Sequence, residues 1–179
     1  MLVGLGLVIL ASVAFFILTN SKTSAATNNP SAEQDSAIPV GVNFPAPAIH
    51  LTDVQGKPVT LEDYLGQVVL LNNWATWCPP CKAEMPTLQA YYEEHRESGF
   101  SVIAVEAGEP VEQVAEFTRQ MGLTFPVWPD PEQKLYDAFH NISLPTSWLV
   151  DRDGQVVLTW TGAISRQVLE QYVTPLLEE

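Results

Sequence analysis

Cationic side chains are scarce in this sequence: 8 Lys and Arg stand against 21 Asp and Glu in 179 residues, a formal net charge of −13. Neutralising nucleic-acid phosphates takes a basic face, and eight scattered cations do not build one, so nucleic-acid binding is excluded. Cysteine is scarcer still. Two residues, Cys78 and Cys81, are too few for a disulfide scaffold or a four-cysteine zinc site. Histidine does not make up the number, because His50, His95 and His140 are single and scattered. No internal repeat is visible, and the length suits one domain with enough chain to bury a core without staples.

Charge is missing altogether from Leu2 to Leu18, a run of 17 residues closed by Thr19-Asn20-Ser21-Lys22. Such a run sits at the short limit of a spanning helix and exceeds the usual signal-peptide core of about 7 to 15 residues, which favours a transmembrane anchor over residues 1–19. A cleaved signal peptide is the alternative, since Ser24-Ala25-Ala26 places small residues where a peptidase would cut and no Lys or Arg precedes the run. Because no cysteine follows it, a lipoprotein anchor is excluded. Residues 20–40 have almost no large apolar side chain to offset the entropy of ordering and read as a disordered linker. The globular body is expected over residues 41–179, about 140 residues acting as a monomer.

Within that body, strand-like and helix-like stretches alternate. Ala48–Thr52 reads as a short strand, and Thr60 with Asp63 as a capped helix start. The run Val68–Trp74 reads as a buried strand, followed by a helix from Pro79 to about Ser98 that Gly99 ends and Pro86 kinks. Next come a strand over Ser101–Ala107, a helix over Val111–Met121 ended by Gly122, an extended piece at Phe125–Trp128 and a short helix over Glu132–Phe139. Thr146–Val150 and Gln155–Trp160 form a hairpin across Asp151-Arg152-Asp153-Gly154. Ser165 caps a final helix in which Pro175 marks a kink or fray point. This order predicts an α/β fold, a mixed sheet with helices on both faces.

Both cysteines fall in Trp74-Ala75-Thr76-Trp77-Cys78-Pro79-Pro80-Cys81, where a buried strand turns into a helix. Two intervening residues at a helix start bring the sulfurs within bonding distance, and the helix dipole favours a thiolate at Cys78. Pro79 suits the first helical position because its missing N–H would have had no intrahelical partner. A structural staple is disfavoured, since so short a loop removes little entropy from the unfolded chain. A zinc half-site lacks its other ligands, and a peroxidase lacks a second cysteine environment. The pair therefore reads as redox-active. With no N–H on Pro79 or Pro80, the thiolate is less stabilised, and the disulfide should be less oxidising than a strong donor at about −120 mV; equilibration against glutathione measures this, and a potential that high would refute it.

The segment Leu70-Leu71-Asn72-Asn73 leading into Trp74 to Cys81, then Lys82-Ala83-Glu84-Met85-Pro86, together with Leu144-Pro145-Thr146 and the closing Val150–Gly162, resembles the thioredoxin fold and, more narrowly, the membrane-anchored TlpA/ResA-type thiol-disulfide oxidoreductases. The resemblance covers about residues 42–175. It implies an extra strand and helix around Ser101–Met121 relative to thioredoxin, and Asn72 where thioredoxin has a buried acid. Cys78 and Cys81 would be the redox-active pair. Glu84, three residues after Cys81 and on nearly the same helix face, has two readings: a Glu favoured early in a helix by the dipole, or, by resemblance, a carboxylate exchanging a proton with Cys81. Pro145 alone marks a strand start; the resemblance makes it a cis proline facing the cysteines, with Leu144 pairing with substrate. Trp74 reads as core, Trp77 as a contact for a docking partner alongside Pro79 and Pro80, and His95 as a solvated helix position.

Exchange of this kind is useful where disulfides persist, which places the domain outside the cytoplasm and outweighs the lone charge of Lys22 in setting orientation. The resemblance implies a single-pass protein of the cell membrane that reduces protein disulfides, such as those of apocytochrome c, with electrons from a membrane thiol transporter. No cofactor or metal is expected. A general extracytoplasmic reductant is the alternative; a copper-assembly module would need a wider cysteine spacing and a positioned His.

Overall fold

The computed structural model describes residues 38–178, so the expected anchor and nearly all of the expected linker lie outside the described residues. The chain runs through β1 (Val40–Pro45), β2 (His50–Thr52), β3 (Pro58–Thr60), β4 (Val68–Trp74), α1 (Pro79–His95), β5 (Phe100–Glu106), α2 (Val111–Met121), β6 (Val127–Pro129), α3 (Lys134–Phe139), β7 (Thr146–Val150), β8 (Gln155–Thr161), α4 (Arg166–Tyr172) and α5 (Thr174–Leu177). Six strands make one mixed sheet in the order β1-β8-β7-β4-β5-β6, and β2 and β3 form a separate hairpin.

β4 is the centre of the sheet. It runs parallel to β5, with α1 as the crossover, and antiparallel to β7. All seven of its residues are buried, the reason its sequence is a continuous apolar run relieved only by Asn72 and Asn73. Val68, Leu70 and Trp74 face Met85, Leu88 and Tyr91 of α1, Val114 of α2 and Leu169 of α4. Val69 and Leu71 face the other way, into a cluster with Ile103, Trp128, Trp148, Leu135 of α3, and Ile49 and Leu51 from the β2 region. Both faces are covered, but unequally. The long helix lies on the first face, while the second relies on short α3, the hairpin and the 3-10 turn Leu61–Tyr64. That turn is all that the expected helix at Thr60 becomes, with the Asp63 carboxylate accepting from Thr60 N–H at 3.2 Å.

β5 lies inside the sheet between β4 and β6, so the expected extra strand around Ser101 is an integral central strand, and the edge is taken by β6. At the opposite edge, β1 was hidden in the sequence because it has no buried face to impose a period. It pairs with β8 while five of its six residues stay exposed. Pro175 divides the last helix into α4 and α5, as its missing N–H requires, and Ser165 Oγ caps α4 by accepting from Val168 N–H at 3.3 Å. His95 differs from expectation. One helical turn after Tyr91, its ring lies against the Tyr91 ring at 4.3 Å between centroids, so it is half-buried rather than solvated.

Candidate active site

The site is built where β4 ends and α1 begins. Cys78 is the N-cap residue of α1, with Pro79 and Pro80 filling the first turn, exposed and without N–H groups to offer. The first available amide, Cys81 N–H, points at Cys78 Sγ at 3.3 Å. The two sulfurs form a disulfide with their Cα atoms 5.3 Å apart. Exposure separates their roles, because Cys78 retains 3% of its surface and Cys81 none, leaving Cys78 as the sulfur that a partner can reach.

Glu84 lies one turn beyond Cys81 on α1 and is 3% exposed. Its carboxylate accepts from Asn72 Nδ2 of β4 and from Ile164 N–H, each at 2.9 Å. Asn72 is itself braced by a contact from Nδ2 to Ser147 Oγ of β7 at 3.0 Å. Burial pushes the Glu84 carboxyl up to about 7, and the two hydrogen bonds recover only part of that shift. A group with that affinity accepts and returns protons readily near neutrality. A Glu placed for the helix dipole alone would sit in solvent, whereas this one is buried and hydrogen-bonded to two other elements.

The Leu144–Pro145 bond is cis. It immediately precedes β7, whose first residue, Thr146, pairs with Asn73 near the end of β4, so the proline stands beside the strand from which the cysteine motif departs. Trp74 is fully buried and Trp77 is 65% exposed, as expected of a core and a surface aromatic. Trp77 and Leu144 meet in a groove of about 140 Å³ whose wall also includes Ala107, Tyr136 and Ile142. Pro79 and Pro80 lie outside that groove lining.

Two further acids border the motif, Glu106 and Glu109. The Glu109 carboxylate accepts from Thr76 N–H at 2.8 Å and from Thr76 Oγ1 at 2.6 Å, gripping the loop two residues before Cys78. Behind it, the fully buried Glu106 accepts from Glu109 N–H at 2.9 Å. A signal was present: Glu106 is the lone acid in the otherwise apolar run of β5, where a charged side chain has no reason to be buried unless it serves another group.

Residues 42–159 match the AhpC/TSA family. A thiol-disulfide oxidoreductase ResA from Geobacillus kaustophilus is 35% identical over 167 residues, covering 93% of this chain and 89% of that one. Another ResA, from Bacillus thuringiensis strain Al Hakam, is 41% identical over 128 residues, 72% of this chain and 74% of the relative. Among solved structures, a thiol:disulfide interchange protein of the thioredoxin family from Chlorobium tepidum superposes with a TM-score of 0.69 at 26% identity, covering 77% of this chain and 99% of that one. StoA from Bacillus subtilis superposes with a TM-score of 0.61 at 29% identity, covering 72% and 97%. With its thioredoxin-like fold and closed Cys78–Cys81 pair, the chain belongs to the AhpC/TSA family and, within it, to the ResA-type thiol-disulfide oxidoreductases.

Proposed function

We propose that this oxidoreductase works outside the cytoplasm, tethered to the membrane by residues 1–19, and reduces disulfides in proteins such as apocytochrome c. The observation that carries the exchange chemistry is Glu84, a buried carboxyl balanced near neutrality one turn from the resolving cysteine, which can take up and return the proton of Cys81. In the reduced enzyme, Cys78 thiolate attacks a substrate disulfide, forming a Cys78 mixed disulfide and releasing one substrate thiolate. Cys81 gives its proton to Glu84 and attacks Cys78 Sγ, which closes the enzyme disulfide and expels the second substrate thiolate. Two electrons pass to the substrate, and the proton leaves Glu84 for the expelled thiolate. The enzyme ends in the oxidised state seen here and needs a dithiol donor, a membrane thiol transporter, to restore it. Trp77, Leu144, Pro145 and the exposed prolines Pro79 and Pro80 supply the surface on which the substrate segment lies.

Replacing Cys81 with Ala in the native host removes the second step, so the Cys78 mixed disulfide should accumulate. Recovery of apocytochrome c from the trapped species is the expected result; a broad mixture of thiol proteins would identify a general reductant instead. The location is checked in the same cells. The full chain should fractionate with membranes, with its catalytic domain open to protease from the outer side.

A further inference from the structure

Glu106 has no evident structural reason to be a carboxylic acid. It closes β5, is fully buried, and pairs in register with Trp74, the last residue of β4. Among the described residues no cation pairs with it, and its Oε1 meets no hydrogen-bond partner. An apolar side chain would pack there without that desolvation. What the carboxyl does provide is an acceptor, Oε2, for the Glu109 N–H at 2.9 Å. Between the two acids the backbone turns sharply through Gly108, at φ +101, a conformation suited to glycine, with the Gln133 side chain covering it so closely that a Cβ would lie 3.0 Å from Gln133 Nε2. The turn is therefore held from both sides, and Glu109 emerges from it aimed at Thr76.

We propose that Glu106 is a positioning residue of the redox site: by fixing the Glu109 backbone it aims the Glu109 carboxylate that clamps Thr76, and so sets how Trp77 and Cys78 are presented to a protein substrate. The chain of contacts is short. Glu106 holds Glu109 N–H, Glu109 holds both the N–H and the hydroxyl of Thr76, and Gln113 Nε2 of α2 binds the same Glu109 carboxylate. Facing Glu106 are the Glu109 carboxylate from its own turn and Asp130 from the segment after β6, while β4 presents the uncharged Trp74. Burial first, then a side-chain hydrogen bond shared with Glu109 and the charges of Glu109 and Asp130, hold the Glu106 carboxyl up to about 8 against the opposing hydrogen bond from Glu109 N–H, so it is largely neutral at pH 7. Ionising it would place two buried carboxylates side by side and loosen the grip on Thr76.

This inference rests on the redox reading of Cys78, and its first measurement does not depend on any substrate. In the oxidised protein, the Thr76 amide proton resonance should titrate as pH passes through about 8. E106Q keeps the acceptor for Glu109 N–H but cannot ionise, so its Thr76 resonance should match wild type at pH 7 and stay fixed to pH 10. E106A should displace it already at pH 7. The second measurement is the ratio of exchange rates with a disulfide-bonded CxxCH peptide and with a small aromatic disulfide, which cancels the ionisation of Cys78 itself. That ratio should fall roughly threefold to tenfold above pH 8 in wild type, the size expected when one hydrogen bond of such a chain is lost, and should remain level in E106Q. A Thr76 resonance unmoved in E106A, or the same alkaline transition in E106Q as in wild type, overturns the proposal. An inert CxxCH peptide alongside a normal Thr76 titration would count against the substrate reading and leave the positioning role supported.

Discussion

Replacing Glu84 with Gln is expected to make the protein more stable and the enzyme slower. The Glu84 carboxyl has an ordinary value of 4.5 and is held at about 7 in the fold, because burial disfavours its anion. A carboxyl raised in this way binds its proton more tightly when folded, so its stabilising contribution is complete below pH 4.5 and is lost as pH rises through 7. At pH 8 the wild-type protein has therefore forgone on the order of 3 kcal/mol, at about 1.4 kcal/mol per unit of displacement. Gln does not ionise and escapes this loss. Asn72 can accommodate the change, since its Oδ1 has no partner among the described residues and a turned amide would present that oxygen to the new NH₂.

Urea unfolding of the two oxidised proteins should give nearly equal stabilities at pH 4.5, separating progressively to about 3 kcal/mol at pH 8. Curves that run parallel across this range would falsify the assignment of a neutral-range proton to Glu84. The kinetic counterpart is a slower second step. Without a proton acceptor beside it, Cys81 should resolve the mixed disulfide on the order of 100-fold more slowly, while attack by Cys78 on the first sulfur is unchanged. Stopped-flow traces resolve the two phases, and equal slowing of both would point to a distorted motif instead. Stability surrendered for function at a buried acid is a common pattern in active sites.

The second large effect separates two tryptophans three positions apart. Trp74→Ala should cost about 3 to 5 kcal/mol, because the side chain is fully buried and packs on Phe117 at 5.1 Å between ring centroids. That is a large part of the roughly 5 to 15 kcal/mol that holds an ordinary domain folded, so the variant should be partly unfolded at 37 °C by circular dichroism. Trp77→Ala should leave stability within about 0.5 kcal/mol, since the ring is 65% exposed and its removal opens no cavity. Its effect should appear in docking. Loss of a central aromatic anchor lowers kcat/KM for a protein disulfide by roughly 10- to 30-fold, while a small aromatic disulfide, which makes no use of the groove, is reduced at the wild-type rate. Equal losses with both substrates would mean that Trp77 shapes the thiol rather than receives the partner.

These contrasts show what a linear reading can and cannot reach. Trp74 and Trp77 were separable in the sequence because one ends an apolar run and the other lies past it. The interior of the sheet is legible for the same reason, with β4 and β5 apolar except for Asn72, Asn73, Ser101 and Glu106. β1 is not, since an edge strand exposed on five of six residues carries no buried period. His95 lies between the exposed Glu94 and Arg96, which give a solvated pattern in sequence, whereas the contact that half-buries it comes from Tyr91, a full helical turn away.

The redox chemistry was determined by the sequence itself. Two cysteines separated by two residues, where a buried strand gives way to a helix, are brought together by local backbone geometry whatever the rest of the chain does. Tertiary structure decided how that chemistry is tuned. Glu84 meets Asn72 from 12 positions away and Ile164 from 80, and its desolvation is a sum over elements with no local signature. Glu109 reaches Thr76 across 33 positions, and the groove joins Trp77 to Tyr136, Ile142 and Leu144. Proton affinity and surface shape depend on what is excluded from contact with water, and that is settled only when distant segments pack.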